Sequence, residues 1–249
     1  GVVLFNQFLY QIRKENNRNN ANMIILGTSG SGKSTAAKLI LRSHIRNGYQ
    51  IVAVDPEGEI SEMTKMYGGT VVDLGKGGEF GMVNPLEILV DADDDELRNG
   101  AGNTVLTKTL QTLKAFMKYY DPGIEEDVLT LFIGIVQDTY ERFGINFQTD
   151  FSRFKPENYP TFSDVYATVY GKLTSLTEKT HERDVLERLE LKIRPFVREL
   201  KFYFNGHTSI TSNTDFIVFN IKELMNSDVN IRNALLFNVL KYAWSLCLN

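Results

Sequence analysis

Short apolar runs and a helical pattern alternate near the start of the chain. Residues 23–26 and 51–54 are continuous apolar runs, which are typical of strands buried on both faces. Between them, residues 36–44 have the Ala, Lys and Leu content of a helix. Residues 23–54 are therefore predicted to form one βαβ unit with a parallel sheet.

The middle of the chain has the spacing of helices. A third apolar run at residues 70–74, after a short helical stretch, predicts one more strand. Beyond it, apolar residues recur three and four positions apart, and the last of these patterns is interrupted by Pro195. Helices are predicted within residues 106–120, 128–143, 165–173 and 185–197, with a helix start at residues 161–164.

The end of the chain returns to the earlier pattern. Residues 216–221 have strand character, and residues 231–246 have the pattern of an amphipathic helix. We predict an α/β fold with a mostly parallel sheet and a large all-helical insertion. Residues 1–90 are assigned to the first part of the core, 91–200 to the insertion and 201–249 to the return to the core.

Composition excludes several classes of protein. The 249 residues are 43% hydrophobic and 23% charged, as in an ordinary soluble globular protein, and the net charge of −4 gives no global attraction to nucleic acid. The single cysteine, Cys247, excludes an internal disulfide framework, and three scattered histidines argue against a His-based metal site. No apolar run reaches the roughly 18 residues of a membrane span. The acidic residues 91–96 are expected to lie in a solvated loop.

Residues 27–34 carry the strongest chemical signal. They match G-x-x-x-x-G-K-[ST] at every fixed position, between a predicted strand and a predicted helix. The glycines let several backbone N–H groups point into one concavity at a helix N-terminus, where phosphate oxygens bind. Lys33 is predicted to act catalytically at the β- and γ-phosphates, and Ser34 to ligate Mg²⁺. The predicted nucleotide-binding residues are Gly27, Thr28, Ser29, Gly30, Ser31, Gly32, Lys33, Ser34 and Thr35.

A second candidate group follows the predicted strand at residues 51–54. The sequence Asp55-Pro56-Glu57-Gly58-Glu59 falls at the carboxyl edge of a parallel sheet, where ligands bind in such folds. Asp55 is a candidate ligand of the metal, while Glu57 or Glu59 is a candidate for activating water or sensing the γ-phosphate. The alternative is a Pro-Gly turn with solvated acids.

Two further segments have weaker signals. Asn84-Pro85-Leu86 follows a glycine-rich stretch and predicts a loop with a helix start near Leu86, for which a structural role is the leading hypothesis. His207 lies in Phe204-Asn205-Gly206-His207-Thr208 and is interpreted as a turn residue rather than a catalytic one.

The order of these features resembles the VirB-type conjugative-transfer ATPases of type IV secretion systems, in the FtsK-HerA group of RecA-like motors. After the P-loop, the family's landmarks are matched at residues 55–59, 83–86, 160–164, 204–208 and 216–221. The resemblance implies a RecA-like P-loop NTPase core with an all-helical insertion, forming the C-terminal motor domain of a larger protein. It also implies hydrolysis of ATP with Mg²⁺ to drive assembly or substrate transfer.

The resemblance further implies partners and a location. By this resemblance, the intact protein is expected to act as a hexamer or dimer at the cytoplasmic face of the bacterial inner or plasma membrane. Its expected partners are other secretion subunits, including a coupling protein. Membrane association is expected through those partners, and DNA is a candidate partner. The family's Walker B strand ends in Asp-Glu, which does not occur after Leu200, and Asn220 stands where relatives often have Asp. The chain is therefore expected to be a fragment that stops before Walker B and the arginine finger.

Other hypotheses remain open at this point. A DNA-pumping translocase or coupling protein of the same superfamily would need a basic channel, and only Arg13, Lys14 and Arg18 cluster. A nucleotide-gated assembly module with little hydrolysis would explain the missing Walker B. A small-molecule kinase is a more remote alternative, because a helical insertion of this length exceeds the usual lid.

Overall fold

The computed structural model describes residues 23–78, 81–90, 102–210 and 214–248, with side chains in the third range described from residue 105. It divides the chain into two compact units, Gly1–Asn47 and Gly48–Asn249. The acidic residues 91–96 and the basic cluster at residues 13–18 lie outside the described residues.

The first unit contains a glycine-rich loop and helix α1 at Lys33–Arg46. Asn47 caps the C-terminus of this helix, and its backbone N–H donates to the Ser43 and His44 carbonyls. The prediction of a strand at residues 23–26 was wrong, because residues 23–28 have no regular secondary structure. A strand needs a paired neighbour, and the described part of this unit offers only a loop and one helix.

The second unit contains a parallel three-stranded sheet. Its strands are β1 at Ile51–Asp55, β2 at Thr70–Asp73 and β3 at Phe216–Asn220, in the spatial order β1-β3-β2. The short helix α2, at Ser61–Met66, connects β1 to β2. The first four residues of β3 are buried, as expected for a central strand covered on both faces. The predicted parallel sheet and α/β class are thus confirmed.

Five α-helices lie in the described residues between β2 and β3. The patterns near residues 106–120 and 128–143 form helices α3 and α4, and those near 165–173 and 185–197 form α5 and α6. A short helix, α7, precedes β3, and the long helix α8 follows it. The bounds are α3 Gly102–Tyr120, α4 Glu126–Arg142, α5 Phe162–Ser175, α6 His181–Val197, α7 Lys201–Phe204 and α8 Val229–Leu248. The proposed boundaries at residues 90 and 200 stay a prediction.

Local sequence explains how two of these helices begin and end. At the start of α5 the Thr161 backbone N–H donates to the Asp164 carboxylate at 2.7 Å, and the helix start predicted at residues 161–164 is confirmed. Pro195 does not interrupt α6, which continues to Val197. Pro195 lies in the last turn of α6, so only two helical residues follow it. The break in backbone hydrogen bonding that a proline causes therefore affects little of the helix.

Aromatic side chains from four helices pack against one another in the helical region. Phe162 and Phe196 stack with ring centroids 4.3 Å apart, and Phe116 and Phe204 contact Phe196 at 5.9 and 5.3 Å. All four rings are buried. Such pairs add about 0.5–1.5 kcal/mol beyond the burial of their area. None of the described helices combines the length and apolar character needed to cross a membrane.

Candidate nucleotide site and sheet edge

The glycine-rich loop has the backbone conformation that its sequence predicts. Gly30 and Gly32 have positive φ angles of 76° and 87°, a left-handed conformation that L side chains rarely adopt. Apart from its immediate chain neighbours, no described heavy atom lies within 4 Å of the position that a Cβ would occupy on either glycine, so the described part of the chain leaves this space open. Gly32 is the N-cap of α1 and contributes no side-chain cap. The loop therefore leads directly into the N-terminus of a helix that has no acidic residue in its first turn.

Lys33 folds back over this loop. Its Nζ donates to the Thr28 carbonyl at 2.7 Å, and the Ser31 backbone N–H donates to the same carbonyl at 3.3 Å. Ser34 and Thr35 follow in the first turn of α1, and both are exposed. The loop thus brings a cationic amine to the N-terminus of a helix whose first turn carries two exposed hydroxyl residues, and these are kinds of donor that bind phosphate.

Asp55 closes a turn at the carboxyl end of β1. Its Oδ1 accepts the Gly58 N–H at 2.9 Å and its Oδ2 accepts the Ile60 N–H at 2.7 Å. Gly58 has φ 72°, which allows the chain to turn tightly above the strand. Asp55 is buried, whereas Glu57 and Glu59 are exposed on the turn. The Pro-Gly turn and the exposed acids are both present, and the metal-binding role of Asp55 stays a prediction.

Three polar residues lie side by side at this edge of the sheet. Asn220, the last residue of the central strand β3, is paired with Asp55 on one side and Asp73 on the other. Paired residues of neighbouring strands lie on the same face, about 5 Å apart. Lys76 lies 3.1 Å from the Asp73 carboxylate, which raises the pKa of the Lys76 amine. The sequence predicted the strand but not its central position, because strand order is not a local property.

The structure places the predicted site residues in both units. Residues 27–35 lie in the first unit, whereas Asp55, Glu57 and Glu59 share one turn in the second. Within the described ranges, no group of three or more His, Cys, Asp or Glu side chains is arranged to hold a metal ion. The catalytic and metal-binding roles predicted for residues 27–35 and for Asp55, Glu57 and Glu59 therefore stay predictions.

The segment around Asn84 is a buried loop. No helix begins near Leu86, so that prediction was wrong; residues 85–86 form only a turn. The Asn84 Oδ1 accepts the Leu86 N–H at 3.1 Å, while its Nδ2 donates to the Pro160 carbonyl at 2.9 Å. Its backbone N–H donates to the Thr208 hydroxyl at 3.0 Å. The bond to the Leu86 N–H forms an Asx turn, and the buried bonds to Pro160 and Thr208 tie this turn to distant segments.

Glu87 is a buried carboxyl group that the sequence did not single out. Burial raises its pKa, although the Thr208 hydroxyl donates a hydrogen bond to it. Nearby, the Tyr140 hydroxyl donates to the Leu86 carbonyl at 2.7 Å, and burial together with the charge of Glu87 raises the pKa of Tyr242 to about 12. His207, next to Thr208, is exposed. This polar cluster joins the Asn84 loop to α4 and to the segment before β3.

Comparisons with known proteins agree with the fold. Residues 19–236 match the family model described as the central domain of helicase HerA. The chain is similar to the solved structure of VirB4 of Thermoanaerobacter pseudethanolicus, with 26% sequence identity and a TM-score of 0.84. That match covers 99% of this chain and 61% of the VirB4 chain. A comparison with curated proteins finds no match. The predicted resemblance and the predicted P-loop ATPase fold are both confirmed by these similarities.

Proposed function

We propose that this chain, which belongs to the family of the helicase HerA central domain, binds ATP with Mg²⁺ at residues 27–35 and hydrolyses the ATP. The observation that carries the proposal is the loop itself. Two left-handed glycines with open space beside them and Lys33 stand at the N-terminus of a helix with no acidic residue in its first turn. Backbone N–H groups and a cationic amine at a helix N-terminus are donors that suit a phosphate chain.

Each residue of the loop has a role in this proposal. Lys33 exchanges its bond to the Thr28 carbonyl for the β- and γ-phosphate oxygens, and so neutralises charge that develops there. The Ser34 hydroxyl would hold Mg²⁺, and Thr35 would contact the α-phosphate side. When bound, Mg²⁺ would supply Lewis-acid stabilisation of the phosphate charge.

The acidic turn at residues 55–59 supplies the remaining groups. Glu57 is proposed to orient and deprotonate the attacking water, with Glu59 as the second candidate. Both carboxylates are exposed on a turn whose base is fixed by the two hydrogen bonds of Asp55. Asp55 is proposed to lie on the metal side of the site, since each of its oxygens retains a free lone pair direction.

At the level of the cell, we propose a motor of a conjugation or type IV secretion system. The similarity to VirB4, together with the order of sequence landmarks, supports this assignment. The chain spans 61% of the length of that relative, so the assembly belongs to the proposal. Its expected partners are further copies of the chain, other secretion subunits and a coupling protein, at the cytoplasmic face of the membrane.

A DNA translocase is the second candidate function. The family description names a helicase, which favours a motor that moves along nucleic acid. The net charge of −4 gives that hypothesis no support from overall electrostatics. DNA stimulation of ATP hydrolysis separates the two candidates.

The test is a steady-state ATPase assay with Mg²⁺, with and without DNA. Lys33→Ala is expected to lower turnover by at least about 100-fold, because it removes a preorganised charge from the transferring phosphate. Arg42→Ala is the matched control, since it removes an exposed cation from the same helix outside the loop. Equal turnover in wild type and Lys33→Ala would refute hydrolysis at this loop. Bound ATP without Lys33-dependent turnover would favour a nucleotide-gated assembly module.

A further inference from the structure

An open groove is lined by α5, α6 and the segment between them, all within the second unit. It has a volume of about 680 Å³, which is within the range of ligand-binding sites. Its lining residues lie between Tyr166 and Arg198, in a continuous stretch that the structure describes. Tyr170 is 59% exposed, while Leu173 and Leu176 are half-buried. The groove therefore offers apolar and aromatic surface beside the polar side chains of α6.

Charged residues of the groove follow one face of α6. They recur three or four positions apart, so they form a continuous stripe along the helix. The stripe consists of Arg183, Glu187, Glu190, Arg194 and Arg198. Three arginines and two glutamates give this lining a net charge of +1, whereas the whole chain carries a net charge of −4. The groove is thus a positive site on an acidic chain.

Both glutamates of the stripe are already paired. The buried Glu190 carboxylate accepts from Arg194 Nε at 2.8 Å, from Arg194 Nη2 at 2.5 Å and from the Tyr166 hydroxyl at 2.6 Å. These bonds, led by those from Arg194, hold the pKa of the Glu190 carboxyl below its ordinary value. The Glu187 carboxylate accepts from Arg183 Nε at 2.9 Å. Neither carboxylate therefore leaves an uncompensated negative charge in the groove.

Two of the three arginines retain donors for a further anion. A guanidinium has five N–H donors, and Glu190 occupies only two of those on Arg194. Arg198 is exposed, and its side chain makes no hydrogen bond or ion pair with any residue in the described ranges. By contrast, Arg183 Nη1 donates to the Leu173 carbonyl at 3.2 Å, near the end of α5. Arg198 and the remaining N–H groups of Arg194 can therefore pair with a ligand.

We propose that this groove binds an acidic segment of a partner protein. The carboxylates of that segment pair with Arg194 and Arg198, because a guanidinium forms two parallel hydrogen bonds with a carboxylate. Its apolar side chains pack against Tyr170, Leu173 and Leu176. Arginine and tyrosine are enriched in protein–protein interfaces and at their energetic centres. The apolar lining favours a peptide over a small anion such as phosphate, which would leave that surface uncovered.

The experiment measures fluorescence anisotropy of a labelled peptide, Glu-Leu-Glu-Glu-Leu-Glu, with the full 249-residue chain. Matched peptides carry Gln or Lys in place of Glu. The acidic peptide is expected to bind at least about tenfold more tightly than the Gln peptide, because hydrogen bonds between charged groups are the stronger ones. Its binding should weaken as NaCl rises from about 0.05 to 0.3 M, since salt screens exposed charges.

Variants of exposed side chains locate the binding site. Arg198→Ala is expected to weaken binding of the acidic peptide about tenfold, and Tyr170→Ala about fivefold. Neither change should alter the urea unfolding midpoint, because both side chains are exposed. Arg153→Ala is the matched control, since it removes an exposed arginine that does not line the groove, and it should bind as wild type does.

Three results would overturn the inference. The first is equal affinity for the acidic and Gln peptides, and the second is wild-type affinity in Arg198→Ala. The third is an affinity for inorganic phosphate equal to that for the acidic peptide, which would indicate a simple anion site. The measurement involves no nucleotide, so its outcome is independent of the ATPase assay with Lys33→Ala.

Discussion

Replacing Asn84 by Ala tests whether a buried turn holds the helical region to the sheet. Asn84 is 1% exposed, and its side chain makes two hydrogen bonds, to the Leu86 N–H and to the Pro160 carbonyl. Both partners are buried backbone groups. Because both groups are buried, Asn84→Ala leaves them without these partners in the protein.

The size of the effect follows from those two bonds. Each buried polar group left without a partner costs about 1–3 kcal/mol, so we expect Asn84→Ala to lower the free energy of unfolding by about 3 kcal/mol. With a urea m-value of about 3 kcal/mol per molar, the unfolding midpoint should fall by about 1 M.

Asn205→Ala is the matched control for this measurement. The Asn205 side chain also makes two hydrogen bonds, accepting from the Ser163 N–H at 2.9 Å and donating to the Ser163 hydroxyl at 2.8 Å. These bonds lie at the surface, where water replaces the lost partner, so the expected cost is about 1 kcal/mol or less. Urea unfolding followed by circular dichroism measures both variants. Equal midpoint shifts in the two variants would refute the argument from burial.

Two further predictions concern Glu87 and the aromatic cluster. The folded-state pKa of Glu87 lies above its ordinary value of 4.5, so its stabilising contribution is present below that pH and is lost as pH rises through the folded-state pKa. Glu87→Gln should therefore lose less stability than wild type as pH rises above 4.5 in urea unfolding, and parallel curves would contradict this. Phe196→Ala should cost about 3–5 kcal/mol of unfolding free energy, while the exposed Phe202→Ala should cost about 0.5 kcal/mol. Similar costs for the two would show that the ring cluster is not a core.

Some features of this protein are determined by its sequence alone. The loop at residues 27–34 needs glycine at Gly30 and Gly32, because their positive φ angles are local backbone properties. The start of α5 is equally local, since the Thr161 N–H donates to the Asp164 carboxylate within one turn. Such features require no knowledge of distant residues, and they were predicted correctly.

Other features were decided only by the tertiary structure. The apolar run at residues 23–26 has strand composition, but without a paired strand in the described part of its unit it forms none. Residues 85–86 form a turn rather than a helix start, and Asn84 ties this turn to the distant Pro160 carbonyl. Asn220 faces Asp55 and Asp73 because β3 inserts between strands that precede it by more than 140 residues. Strand order and the burial of polar groups depend on contacts between distant segments, whereas glycine conformations and helix caps depend on immediate neighbours.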